Sequence, residues 1–265
     1  MSTKLSMVIP TYKGAEMLRE NLPGLIAYLS GLSISYEIIV VDDGSQDGGK
    51  TEEVAREFGC RYFANEKNLG KGAALRKGML NAGGEFRIFT DVDIPYEYSA
   101  IERFTWYLDF KEFHMVVGDR TLANSDYYRD VPWVRSLGSR FFKFIIGRFI
   151  VTGMYDTQCG IKGFRADVAE DIFGVSRINR FAIDVELIYI AMKRNYDLKR
   201  LPVTLRHWGD SQLHIVRDGI AMFWDFAQII FNHYKGNYAP KSEVKFVDPY
   251  AEYRQKNKDK IKKKA

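Results

Sequence analysis

The stretch Ile88-Phe89-Thr90-Asp91-Val92-Asp93-Ile94-Pro95 ends an apolar run in two aspartates one residue apart. On a strand, residues i and i+2 point to the same side, so both carboxylates would face one pocket. Two like charges held that close cost free energy unless a cation or a strong donor lies between them. Mg²⁺ or Mn²⁺ suits such hard oxygens and takes one or two carboxylates while completing its shell elsewhere. A polar loop after a strand would look the same, so the pair needs company. Further carboxylates stand at Asp42 and Asp43, at Asp156, and at Asp184 and Glu186 in "IDVE". Positive groups stand at Lys71 between Gly70 and Gly72, at Arg120 in "GDR", at Arg135 beside Ser139 in "RSLGSR", and at Arg206 in "RHWGD". Cys60 and Cys159 are too few and too widely spaced for a zinc site or a disulfide scaffold, and a reducing compartment fits them best. Cys159 reads as a small packing residue, since no histidine lies near it in sequence to activate a thiolate.

These groups need a frame, and the apolar pattern supplies one. Short apolar runs at 5–9, 36–41, 60–64, 86–90 and 114–118 predict strands, and helical patterns fall at 16–32, 50–59 and 68–84. Continuous apolar strands alternating with helices predict a mostly parallel sheet covered on both faces. The polar loops after these strands would then line the crevice where ligands bind in open α/β sheets. Arg76 and Lys77 read as a solvated helix face. Further on, an aromatic helix is expected over 134–151, a turn into a short strand over 156–165, and an amphipathic helix over 183–194. A strand at 198–206 and an apolar-rich helix over 213–236 complete the pattern.

At 46% hydrophobic and 28% charged the chain has a globular composition rather than a disordered one. Its net charge of +5 is concentrated in the tail "YRQKNKDKIKKKA". Such a tail is solvated and drawn to anionic surfaces. The sequence predicts no secretory leader and no stretch of about 18 apolar residues able to span a bilayer.

"VIPTY", "VVDDGSQDGG", "NLGKGAALRKGM", "DVD" and "DTQCGIKGF" occur in that order within residues 4–235. Together they resemble the family-2 inverting glycosyltransferases of the GT-A fold, and within them the polyprenyl-phosphate (dolichyl-phosphate) hexosyltransferases. The resemblance implies an α/β fold with C-terminal amphipathic helices, a catalytic domain over 1–240 and a basic tail over 241–265. It implies a nucleotide site at Pro10, Tyr12, Asp42, Gly70, Lys71 and Asp91. It also implies Mg²⁺ or Mn²⁺ on Asp91 and Asp93, neutralising charge on the departing nucleoside diphosphate. Arg120, Arg135 and Ser139 would surround the acceptor phosphate, with Arg206 near the diphosphate. Asp156 and Gln158 would meet the sugar or the metal-diphosphate region. The Asp-Thr-Gln-Cys-Gly form is closer to the glucosyl branch than to the mannosyl one.

Three departures stand out. Pro95 replaces a further oxygen ligand found in some relatives, "PTYKG" replaces the usual Pro-Thr-Tyr-Asn-Glu, and Ser211-Gln212 lacks a frequent lysine. Asp184 would serve as a base if the acceptor were a hydroxyl, whereas a phosphate acceptor needs none. The implied partners are a UDP- or GDP-hexose, a polyprenyl phosphate lipid and a membrane surface, with no nucleic acid. Attachment at the cytoplasmic face would use 141–151, 213–236 and the tail, or a membrane-embedded partner subunit. Two other readings are a transferase acting on a saccharide or protein hydroxyl, and a non-catalytic nucleotide-sugar-binding scaffold.

Overall fold

The computed structural model describes residues 3–126, 151, 153–154, 156–206 and 215–239, except for the side chains of 215–223. The strands are β1 (Leu5–Thr11), β2 (Tyr36–Asp42), β3 (Arg61–Ala64), β4 (Phe86–Phe89), β5 (Met115–Asp119), β6 (Lys162–Arg165) and β7 (Leu198–Pro202). Among the described residues they form one sheet in the order β3-β2-β1-β4-β6-β5-β7. All neighbours pair in parallel except β6, which runs antiparallel to both β4 and β5.

The helices are α1 (Ala15–Gly31), α2 (Lys50–Glu57), α3 (Lys71–Asn81), α4 (Ser99–Asp109), α5 (Ala166–Val175), α6 (Ile183–Lys193) and α7 (Ile215–Tyr234). They divide into two layers because the strands alternate. Leu5, Met7, Ile9, Ile38 and Val40 enter a core with α1, α2 and α4. Val8, Ile39 and Val41 enter the opposite core with α3, α5, α6 and α7. Apolar residues on both sides of each strand are what made those runs continuous in the sequence.

The expected strands appear within a residue or two of their predicted limits, except that the last stops at Pro202, well short of 206. Three further differences concern helices. Helices α4 and α5 are absent from the sequence reading. In α4, Ile101, Phe104 and Leu108 bury one stripe at helical spacing. Helix α6 was expected to be amphipathic, yet Ile183 to Ala191 are all buried. The cause is α7, whose Phe226 and Ile229 close over the same core, while His233 meets Tyr189 edge-on. Residues 134–150 of the expected helix and the tail over 241–265 lie outside the described residues.

For the site, the position of β6 matters most. Its register sets Lys162 opposite Phe89, two residues before Asp91.

Candidate functional site

The loops that follow β1, β2 and β4 meet at the carboxyl edge of the sheet. Lys13 N donates to Ser45 Oγ at 2.7 Å, and Asp43 N donates to Thr11 O at 2.8 Å. These bonds fix the first two loops to each other. Asp42 is buried at the end of β2, where its carboxylate accepts from the Ser45 hydroxyl and amide and from Tyr62 Oη at 3.2 Å. An ionised carboxylate has about four lone-pair sites, so this one keeps acceptor capacity while being held in place. Tyr12 lies partly exposed above, with the Lys13 ammonium over its ring at 5.4 Å. Pro10, expected among the nucleotide contacts, is a buried residue near the end of β1, opposite Val41.

Asp43 organises the next loop. It accepts from Asn65 Nδ2 at 2.8 Å, Leu69 N at 3.1 Å and Gly70 N at 2.6 Å. Asp47 holds the first turn of α2, accepting from Gly49 N and from the Thr51 amide and hydroxyl. The glycines that open α3 answer to the chain itself. A Cβ on Gly70 or Gly72 would lie 2.4 Å from the carbonyl oxygens of Asn179 and Ile178 respectively. Gly72 N donates to Asn179 O at 2.7 Å. These glycines admit the 178–179 backbone.

Lys71, between them, is the middle of a buried chain of charge. Its ammonium meets Asp91 Oδ1 at 2.7 Å and Asp184 Oδ2 at 3.4 Å. Asp184 Oδ1 in turn takes the ammonium of Lys162, which also donates to Cys159 O at 2.8 Å. Burial works to raise the Asp184 carboxyl, but Lys162 and Lys71 hold it below the usual carboxylate range. Burial works to lower Lys71, and Asp184 and Asp91 overcome it, so this ammonium stays protonated. The sequence reading missed Lys162.

Asp91 and Asp93 lie on a turn, not on the strand. Strand β4 stops at Phe89, Ile94 N donates to Asp91 O at 3.0 Å, and Ile94 has φ 41°. The same-side argument for a strand pair therefore does not apply. Asp91 keeps 37% of its side chain exposed. Across from it stands Gly160, where a Cβ would lie 2.0 Å from Asp91 Oδ2. Only glycine at 160 leaves room for the Asp91 carboxylate, and that partly exposed carboxylate, with Asp93 two residues on in the same turn, is the hard-oxygen chemistry that suits a small divalent cation whose other ligands come from a diphosphate and water. Among the described residues no group of three or more His, Cys, Asp or Glu forms a closed metal cage.

On the acceptor side, Arg120 and Asp156 are partners. Arg120 donates from N and Nε to Asp156 Oδ2, both at 2.8 Å, and from Nη2 to Oδ1 at 2.6 Å. Asp156 is buried and Arg120 half-buried. The forked pair fixes the guanidinium of Arg120 through its Nε and Nη2 edges. Arg206 also has local partners. It donates to Asn21 Oδ1 at 2.7 Å and Ile94 O at 3.3 Å and lies over the Tyr98 ring at 4.6 Å, clamping the loop after Asp93. Gln158 is half-buried in the loop that carries Gly160. Arg135, Ser139, Ser211 and Gln212 lie outside the described residues. Cys159 is buried against Gly118, and burial pushes its thiol up to about 11, which makes it an inert packing residue.

One loop, 176–180, backs the whole cluster. Arg76 binds it with Nε to Ser176 Oγ at 3.0 Å, Nη1 to Asn179 Oδ1 at 2.9 Å and Nη2 to Ile178 O at 3.0 Å. Arg76 is thus a brace and not a solvated residue. Buried Glu186 accepts from Arg177 N at 2.8 Å, Ile178 N at 3.0 Å and Tyr238 Oη at 2.6 Å. Arg180 ties the same loop to Asp225 of α7 at 2.6 Å.

Comparison with known proteins now adds to the geometry. Residues 6–173 match the family model described as glycosyl transferase family 2. The chain is 29% identical over 254 residues to a dolichyl-phosphate beta-glucosyltransferase of Dictyostelium discoideum, covering 90% of this chain and 77% of that protein. It is 30% identical over 245 residues to the Drosophila melanogaster enzyme of the same name, covering 86% and 72%. Among solved structures, glucosyl-3-phosphoglycerate synthase from Mycobacterium tuberculosis in complex with Mn²⁺, UDP-glucose and phosphoglyceric acid aligns with a TM-score of 0.64. That alignment covers 91% of this chain and 82% of the other at 16% identity, a likeness of fold.

Proposed function

Because this chain belongs to glycosyl transferase family 2 and carries the GT-A fold, it is a hexose-transferring enzyme, and from that premise we propose its substrates. The donor is a nucleoside diphosphate glucose and the acceptor is polyprenyl phosphate, with inversion at the sugar. Relatives matched over most of their length are dolichyl-phosphate beta-glucosyltransferases, which supports both choices. The observation that carries the phosphate acceptor is Asp184. Held between Lys162 and Lys71, it is poorly placed to collect a proton from a hydroxyl. A phosphate is already ionised and needs no base.

In the donor half, Tyr12 and Asp42 flank the base and Lys71 meets the diphosphate. Asp91 and Asp93 would hold Mg²⁺ or Mn²⁺, which when bound neutralises charge on the leaving diphosphate. Arg120, Arg135 and Ser139 supply the positive and polar surroundings of the acceptor phosphate, and Arg206 lies near the diphosphate. Asp156 orients Arg120, and Gln158 faces the sugar.

A transfer assay with UDP- and GDP-hexoses against polyprenyl phosphate, read by mass spectrometry, tests the reading. UDP-glucose should give β-linked polyprenyl phosphate glucose. Transfer to a saccharide or protein hydroxyl alone would refute it. In the same assay Asp184→Asn, counted per folded molecule, should keep at least about a tenth of the rate, whereas losing a true general base would cost about 10²–10⁴-fold.

Such an acceptor brings the enzyme to a bilayer. Among the described residues no helix is long and apolar enough to cross one. Helix α7 instead offers a stripe for lying on its surface: Trp224, Phe231 and Tyr234 are 66%, 56% and 84% exposed. Lys235 stands over the Phe231 ring at 4.4 Å, a cation beside an apolar stripe. The chain should co-sediment with anionic vesicles, and Trp224→Ser with Phe231→Ser should weaken this about tenfold or more even at high salt. If the intact protein ignores vesicles at low salt, attachment passes to a membrane-embedded partner.

A further inference from the structure

We propose that Lys71 is a built-in competitor of the divalent cation for Asp91, so that the cation binds well only together with the nucleoside diphosphate. The inference rests on the metal reading above and adds an order to it. Its root is the rigid start of α3. Gly70 N is held by Asp43 at 2.6 Å and Gly72 N by Asn179 O at 2.7 Å, so the backbone that carries Lys71 has little freedom. From there the ammonium reaches Asp91 Oδ1 at 2.7 Å. It stands beside the carboxylate that a cation would need, and it is itself mostly buried.

A divalent cation arriving alone must displace this ammonium or sit beside it, and either is unfavourable in a partly desolvated site. The displaced group does have somewhere to go. Asp184 lies 3.4 Å away on the other side, already steadied by Lys162 through its second oxygen. Lys71 can therefore shift toward Asp184 without moving its root. Asp91, Asp93 and Asp184 would then set three negative charges against four positive ones on Lys71, Lys162 and the cation. A nucleoside diphosphate changes that balance. Its anionic oxygens are shared between the ammonium and the cation, so each binding event favours the other. Such coupling is reciprocal by thermodynamic necessity.

The test reads binding and not turnover. The full chain is titrated with Mn²⁺, and loss of the free-ion electron paramagnetic resonance signal is followed with and without UDP, corrected for Mn²⁺ bound to UDP in buffer. Wild type alone should bind weakly, and UDP should raise the affinity at least about tenfold. Lys71→Met alone should bind at least about tenfold more tightly than wild type alone, with the gain from UDP reduced by a similar factor. Lys71→Arg, which keeps the charge, should behave as wild type. Lys71→Gln serves as a second neutral variant if the methionine variant does not fold, as judged by thermal melting. Asp91→Asn should remove the site in every background. If neither neutral variant binds Mn²⁺ more tightly than wild type without UDP, while wild type with UDP shows an Asp91-dependent site, this inference alone is overturned. If no Asp91-dependent site appears even with UDP, the metal reading falls and takes the inference with it.

Discussion

Asp91→Ala is expected to lower the transfer rate about a thousandfold while leaving the fold intact. A Lewis-acidic cation on the leaving diphosphate is worth several kcal/mol, and each 1.4 kcal/mol or so is tenfold in rate, which gives about three decades. The fold should tolerate the change. Asp91 sits on a turn with 37% of its side chain exposed. A partly exposed pair of this kind contributes about 0–1 kcal/mol. Lys71, released by the substitution, keeps Asp184 as a partner. Turnover measured by mass spectrometry, alongside a thermal melt, checks both halves. Activity within tenfold of wild type, or undiminished by excess chelator, would sink the metal assignment. Asp93→Ala should move in the same direction.

Lys162→Met is expected to destabilise the protein by about 3 kcal/mol, because it leaves Asp184 buried with one ammonium in place of two. Lys162 is fully buried and Asp184 nearly so, so neither can recover solvent when its partner is removed. Methionine fills much the same volume, which keeps a cavity from confusing the result. The double variant Lys162→Met/Asp184→Asn should recover at least about half of the loss, since Lys71 and Asp91 then remain as a neutral pair. Urea unfolding of the three proteins measures this. A loss under about 1 kcal/mol in the single variant would mean that Lys71 alone compensates Asp184. By the same argument Asp184→Asn leaves Lys162 unbalanced, which is why its activity must be counted per folded molecule.

The central parallel strands were legible because they are buried on two faces, and uninterrupted apolar runs such as "IIVV" in β2 announce that condition. The loops that follow them were legible for the same reason, and with them Asp42, Lys71 and Asp91. Lys162 was not. In "GIKGFR" a lysine reads as solvated, yet alternation places it on the same side as Phe164, which is buried in the core. That parity was the available signal. Arg76 carried no comparable signal, since its partners at 176–179 lie a hundred positions along the chain. The strand geometry assumed for Asp91 and Asp93 failed because β4 ends at Phe89 and the chain turns over Asp91–Ile94, with Ile94 in a conformation that side chains such as isoleucine rarely adopt. Full burial of α6 was illegible from its own residues. It depends on α7 and on Tyr238, which arrive later in the chain.

The antiparallel insertion of β6 has a consequence for biosynthesis. As the chain leaves the ribosome, β1 to β4 can pair early, but the far edge of β4 stays open until about 75 more residues have been made, at roughly 5–20 residues per second. For several seconds a buried, apolar strand edge with Phe86 and Phe89 is exposed to other nascent chains. Lys162 arrives on the strand that closes it, and Asp184 follows about twenty residues later. The charged cluster is thus completed only after the hazardous edge is covered, and growth at high temperature or without chaperones should expose that interval as aggregation of newly made protein, not of the finished enzyme.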